Sequence, residues 1–395
     1  MNSRTIAWGL VTALLVALGG GFVFSYWSAH GTAPVPHPGY RRWRVVYYEG
    51  GPWDDYPLHL RGLVHGWMDL GWIEPDTLPE PTAPNDTHSL WQWLCTEARS
   101  EYLAFTQGNY YSVDWVDSRR QAIRAKLIDR LNRPGEIDLV LAMGTWAGKD
   151  LATDDHSVPT LVMSTSDPVA SGIIASPDDS GLDHVHCYCD PNRHVRQIRA
   201  FHNIVKFKRL GVAYEDTPDG RVYANVDDLE RIGRQVGFEV VHASWPKPSG
   251  PELDDRLKQL ALDGFSKLGP RVDAVWIGSL TEASPRFMPG VLEPLFEHNV
   301  PTWSQMGARA VRRGVMLGMA ERDLDELGLF YARTAAAIFH GARPRDLEQV
   351  HEDPKLLVVN QAAARRIGYT LPPGLVTVAD AVYVDIDDSP VEDAP

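Results

Sequence analysis

Several short stretches of the chain carry residue types whose spacing could do chemistry. Gly144-Thr-Trp-Ala-Gly-Lys-Asp150 comes near a phosphate loop. That loop needs four residues between its glycines and a hydroxyl after the lysine to hold magnesium. Here three residues intervene and Asp150 would repel phosphate, so a nucleotide is not expected. What remains is a strand end feeding a helix start, whose free N–H groups suit a carboxylate. Glu49-Gly-Gly-Pro-Trp-Asp-Asp55 lacks the glycine spacing of a dinucleotide fold. Asp54 and Asp55 could serve glycoside hydrolysis, but paired acids more often open a helix, where they match its dipole. His184-Val-His-Cys-Tyr-Cys189 offers metal-ligand types. In one regular strand, however, the two histidines face one way and the two cysteines the other, so a metal is not expected. There is no Gly-x-Ser-x-Gly elbow and no His-Glu-x-x-His. No set of residues reads as catalytic, and neither enzyme activity nor a cofactor is expected. The last stretch, Thr165-Ser-Asp-Pro-Val-Ala-Ser-Gly172, follows the apolar run Pro159–Ser164. A plain turn needs only the proline and the glycine. The added hydroxyls and acid suggest a strand end that faces something polar.

The elements that would position these groups alternate in a regular way. Strand-like runs at 44–48, 110–116, 138–143 and 159–164 alternate with amphipathic helices at 58–70, 118–131 and 145–153. A second series follows, with strands at 184–189, 209–214, 239–244, 273–277 and 300–304. Helices at 191–205, 220–236, 251–268 and 289–298 lie between them. This order implies two doubly wound parallel sheets with helices on both faces, an α/β architecture of two lobes. Ligands of such sheets bind beyond the carboxyl ends of the strands. Residues 74–109 break the rhythm, starting Pro-rich and continuing as "LWQWLCTEARSEYLAF". This insertion is expected to be a docking or packing arm, placed away from the carboxyl strand ends.

Composition sets the outer limits. The chain has 395 residues, 44% of them hydrophobic, enough for two cores. Its net charge of −14 repels phosphate backbones, so nucleic acid is not expected as a partner. The 13 Trp include several in expected loops, where aromatics often form ligand platforms. Between Arg4 and Arg41 there is no Asp, Glu, Lys or Arg, and the run Thr5–Trp27 is mostly apolar. As a helix it would span roughly 30 Å, enough to cross a bilayer. Residues 1–40 are therefore expected to be a signal anchor, or a signal peptide, plus a linker. Cys95, Cys187 and Cys189 give an odd count, which leaves a thiol unpaired within a monomer. Residues 384–395 are expected to be an acidic, disordered tail.

From about Arg42 to Tyr383 the chain resembles the ABC transporter substrate-binding proteins of the tryptophan- and tyrosine-binding type. The resemblance is carried by "DLVLAMGTWAG", "VPTLVMSTSDPVASGII", "RLGVAYE", "VDAVWIG", "NVPTWSQMGARAVRRGVMLGM" and "LVVNQAAARRIGYTLPPGLVTVADAVY". It implies the type I periplasmic binding fold, with three crossings between lobes acting as a hinge. Lobe one would hold 42–171 with about 306–333. Lobe two would hold 172–305 with about 334–383. Carried over by position, the ligand-binding residues would be Glu49, Trp53, Thr145, Trp146, Ser166 and Asp167 from the first lobe, then Tyr214, Glu215, Ser279 and Gln305 from the second. Hydroxyls and helix N–H groups would hold a carboxylate, acids an amine, and an aromatic shelf the side chain. The expected function is a periplasmic solute-binding protein that takes an amino-acid-like or cationic solute in the interlobe cleft. Its partners would be an ABC permease and ATPase, with the N-terminal helix tethering it to the inner membrane. The alternative is a membrane-anchored sensing or docking module of the same fold.

Overall fold

The computed structural model describes residues 31–247, 253–279, 288–320, 324–352 and 356–387. The chain divides into two units. The first comprises the described residues up to Ser164, together with Asp178–Cys187 and Leu324–Gln349. The second comprises Thr165–Pro177, the described residues from Tyr188 to 320, and those from Val350 onward.

The first unit is built on β1 (Trp43–Glu49), β2 (Leu103–Ala104), β3 (Tyr110–Ser112), β4 (Leu139–Met143), β5 (Thr160–Met163) and β6 (Val185–Cys187). All pairings are parallel, in the order β2–β1–β4–β5–β6. β3 follows β2 along the same edge of β1. Val45, Val46, Tyr47 and Tyr48 have no exposed surface, as expected of a parallel strand covered on both faces. The helix Tyr56–Asp69 covers one face and is itself covered by the helix Leu324–Phe339. Those two helices touch at glycines: a Cβ on Gly328 would lie 2.1 Å from the Gly62 carbonyl group. Only hydrogen at both positions allows so close an approach.

The second unit carries β7 (Arg209–Glu215), β8 (Glu239–Trp245), β9 (Ala274–Ile277), β10 (Thr302–Ser304), β11 (Leu317–Ala320), β12 (Leu356–Asn360) and β13 (Ala381–Tyr383). Their order is β13–β12–β11–β10–β9–β7–β8, and β11 pairs antiparallel with β12. Its core runs from Phe201 and Phe207 through Trp276 and Trp303 to Val358 and Val359.

Several expectations change. The expected strand 110–116 stops at Ser112, because Asp114 and Trp115 adopt left-handed backbone (φ 55° and 56°) and turn the chain. The expected helix 220–236 is two helices, Pro218–Tyr223 and Val226–Val236, separated at left-handed Asn225. The strand near 184–189, expected to open lobe two, pairs with β5 and extends the first sheet. The boundaries move accordingly. Residues 165–177 lie in the second unit, and the helix Leu324–Phe339 lies whole in the first because its glycine contact with Tyr56–Asp69 holds it there. The chain passes between units after Ser164, Pro177 and Cys187, between 320 and Leu324, and after Gln349, more often than the three crossings expected.

The insertion also sits elsewhere than expected. Its helix Thr87–Thr96 is capped by Asp86, whose carboxylate accepts from the Ser89 N–H at 2.9 Å. Trp91 is buried against Tyr47, and Thr87 reaches Glu49, the last residue of β1. The insertion thus packs along β1 and reaches its carboxyl end. The start of the expected tail is ordered: Asp387 pairs with Arg312 at 3.1 Å, and the Asn360 amide donates to the Asp385 carbonyl at 3.2 Å. The apolar run Thr5–Trp27 lies outside the described residues. Among those described, no helix is long and apolar enough to cross a membrane.

Candidate functional site

In wound sheets, ligand chemistry gathers where the strand order reverses. In the first unit that point lies between β1 and β4, and the loops after both strands carry expected site residues. Trp53 follows β1 and meets Trp115 edge-on, with centroids 6.5 Å apart. Trp115 in turn meets Trp146 edge-on at 5.3 Å. All three rings are half-buried. The left-handed turn at Asp114 and Trp115 sets this up: the Trp115 N–H donates to the Gly50 carbonyl at 2.8 Å, and its indole N–H to Pro52 at 2.9 Å. The three tryptophans therefore form one surface rather than separate rings.

Arg120 holds Trp146 from the other side. Its guanidinium lies 4.3 Å from the ring centroid and donates to the Asp150 carboxylate at 3.0 Å. Asp150 also accepts from the Tyr48 hydroxyl at 2.6 Å. Burial works against the Arg120 charge, but the hydrogen bonds and negative charge of Asp150 outweigh it and hold the guanidinium above its ordinary pKa. Asp150, which counts against a phosphate loop, thus anchors the aromatic surface. Thr145 is buried in the first turn of the helix Gly144–Leu151, and the residue before that helix, Met143, provides no side-chain cap. Gly144 has φ +85°, and a Cβ there would strike the Tyr56 hydroxyl at 1.8 Å.

Glu49 is placed differently from the tryptophans. It has no exposed surface, and its carboxyl group lies among the hydroxyls of Tyr47, Thr87 and Tyr110.

In the second unit the order reverses at β7. Ser279 and Gln305, after β9 and β10, converge on one backbone atom. The Ser279 hydroxyl donates to the Tyr223 carbonyl at 3.0 Å, and the Gln305 amide at 2.9 Å. The Asn225 amide donates to the Gln305 side-chain carbonyl. These groups, all nearly buried, fix the break between the two helices that follow β7. Tyr214 shares a hydrogen bond with His242 at 3.3 Å and accepts one from Arg221 at 3.4 Å. Glu215 accepts from Thr217 at 3.0 Å. Asp167 caps its own turn, accepting from the N–H groups of Val169 and Ala170 at 3.0 and 2.9 Å. The Ser166 carbonyl accepts from the buried His194 ring at 3.1 Å.

The structure thus joins Trp53 to Trp146, and Ser279 to Gln305. It places Glu49 beneath the surface. Sequence reasoning missed Trp115, Arg120, Thr87 and Asn225. Trp115 was hidden inside the expected strand 110–116, which ends at Ser112, and the other three carry no signal in the sequence.

No protein-family model and no curated protein sequence matches the chain. Solved structures do. One is an ABC domain in complex with L-Trp from Streptococcus pneumoniae: 17% identical, TM-score 0.63, covering 86% of this chain and 99% of its own. A conserved domain protein from Vibrio cholerae is 17% identical with TM-score 0.64 and the same coverage. A ligand-free, open substrate-binding protein with adhesive properties from Clostridium difficile is also 17% identical, with TM-score 0.57 over 87% of this chain and 99% of its own. At this identity the likeness concerns the fold, and the chain has the type I periplasmic binding fold of ABC transporter substrate-binding proteins.

Proposed function

We propose that the chain is a solute-binding protein serving an ABC importer, taking a small amino-acid-like solute at the carboxyl ends of its parallel strands. The observation that carries this reading is the wound-sheet fold, matched over 99% of each neighbour's length. The first unit adds a surface of Trp53, Trp115 and Trp146 at its strand-order reversal, suited to the flat or apolar part of a solute. The uncapped first turn at Gly144–Leu151 beside it suits a carboxylate. The neighbour that holds L-Trp is compatible with such a solute. Binding would carry no chemistry; it would shift an open–closed equilibrium read by a permease and ATPase. The apolar run Thr5–Trp27 would direct export and tether the protein at the periplasmic side of the inner membrane.

A thermal-shift screen of amino acids, amines, short peptides and sugar alcohols tests the reading. A binder at a hundred times its dissociation constant adds about 2.7 kcal/mol to stability. No shift from any amino acid or peptide would sink the amino-acid-like assignment. A shift confined to sugar alcohols would move the solute class and keep the binding role.

A further inference from the structure

The group around Glu49 obeys a proton count. Glu49 Oε2 lies 2.6 Å from the Tyr47 hydroxyl and 3.0 Å from the Thr87 hydroxyl. Its Oε1 lies 3.0 Å from the Tyr110 hydroxyl. The Thr87 and Tyr110 hydroxyls are themselves 2.8 Å apart. Each hydroxyl owns one hydrogen, so Tyr47, Thr87 and Tyr110 supply three for these four contacts. With an ionised carboxylate, one contact would be two buried oxygens with no proton between them, an expensive arrangement. A protonated carboxyl closes the count. Oε1–H donates to Tyr110, Tyr110 donates to Thr87, and Thr87 and Tyr47 donate to Oε2. Ser112, which also bonds the carboxyl, brings its own hydrogen and leaves the balance unchanged.

We propose that Glu49 is a neutral carboxylic acid in the folded protein at neutral pH, and that its own O–H ties the helix Thr87–Thr96 to the end of β1. The surroundings agree. Among the described residues no cationic side chain hydrogen-bonds Glu49. Its cross-strand partner on β4 is Met143, which is buried and apolar. Tyr47 and Tyr110 stack at 5.1 Å, and His88 meets Tyr110 edge-on at 5.0 Å. Asp86, whose negative charge is felt at Tyr110, spends its carboxylate on Ser89 and Thr82. Burial pushes the Glu49 carboxyl above its ordinary value, and the hydroxyl bonds only partly offset that push. A neutral Glu49 cannot act as counter-charge to a cationic solute. It is a positioning residue for the loop that carries Trp53.

Two measurements on the full chain test this without any solute, and so independently of the binding role. Infrared spectra at pH 7 should contain a protonated carboxyl stretch that moves on labelling with carbon-13 glutamate. The band should vanish in Glu49→Gln, whose amide reproduces the donor and acceptor pattern. Its absence from the labelled wild type overturns the proposal, whether or not the variant folds. In urea unfolding, a raised carboxyl pKa means stability that is full below the ordinary carboxylate range and is lost as pH rises above it. The unfolding constant of the wild type relative to Glu49→Gln should therefore grow about tenfold per pH unit, up to the folded pKa. Parallel pH profiles for the two proteins would equally overturn it.

Discussion

Trp146 is wedged between an aromatic edge and a guanidinium that is itself tied to a buried acid. Two outcomes follow at this scale. Trp146→Ala should weaken solute binding about tenfold, roughly 1.5 kcal/mol of aromatic contact, as read by calorimetry. Unchanged affinity would remove the indole from the solute surface. Arg120→Leu should cost about 3 kcal/mol in urea unfolding, because it leaves Asp150 as an uncompensated, largely buried charge. A loss under 1 kcal/mol would mean that water reaches Asp150. The strand ends ahead of Trp53 and Trp146 were legible in the sequence because their apolar runs are plain, while the two rings themselves came only by position from the resemblance. Arg120 was not legible, since its partner Asp150 lies 30 residues away on another helix. The acids were legible by type but not by use. Glu49 faces the hydroxyls of Tyr47, Tyr110 and, from the insertion, Thr87, and Asp167 spends one oxygen on its own turn.

The insertion helix is the element whose role the structure redefines. A Pro-rich opening suggested an arm, yet Leu90, Trp91, Trp93 and Leu94 are buried and Thr87 bonds Glu49. Trp91→Ala should therefore cost about 3–5 kcal/mol of stability by leaving a cavity beside Tyr47. Removing residues 74–109 should destabilise the first unit rather than leave it untouched. A deletion variant with native melting temperature would restore the idea of a detachable arm. Strands β1, β4, β5, β7 and β9 were legible because buried parallel strands are continuous apolar runs. The two-residue β2 was not, being too short for any period to register. The breaks at Trp115 and Asn225 were hidden too, because left-handed backbone usually announces itself through glycine and here does not.

At the level of the whole molecule, acid should unfold the protein for an identifiable reason. His186 is fully buried, its ring donating to the Glu348 carbonyl at 2.7 Å, and burial pushes its pKa down to about 4. His156, also buried and beside His184, is likewise pushed down to about 4. A base whose pKa falls on folding gives stability that is complete above its ordinary pKa and is lost as pH drops through the folded value. The contribution of these two histidines should fall between about pH 6.5 and pH 4 by up to about 3 kcal/mol per site, outweighing the opposite trend of the single Glu49 carboxyl. His186→Gln should flatten that slope by about one proton in denaturant titrations; an unchanged slope would exonerate His186. Two wound sheets were legible from the alternation alone, whereas the division of the chain between them was not. It depends on which helix nests against which, and the Gly62–Gly328 contact that decides it joins distant parts of the sequence. The same contact orders events on the ribosome. Tyr56–Asp69 emerges long before the helix Leu324–Phe339 that covers it, so a half-made chain must wait, open to chaperones, with its first unit incomplete.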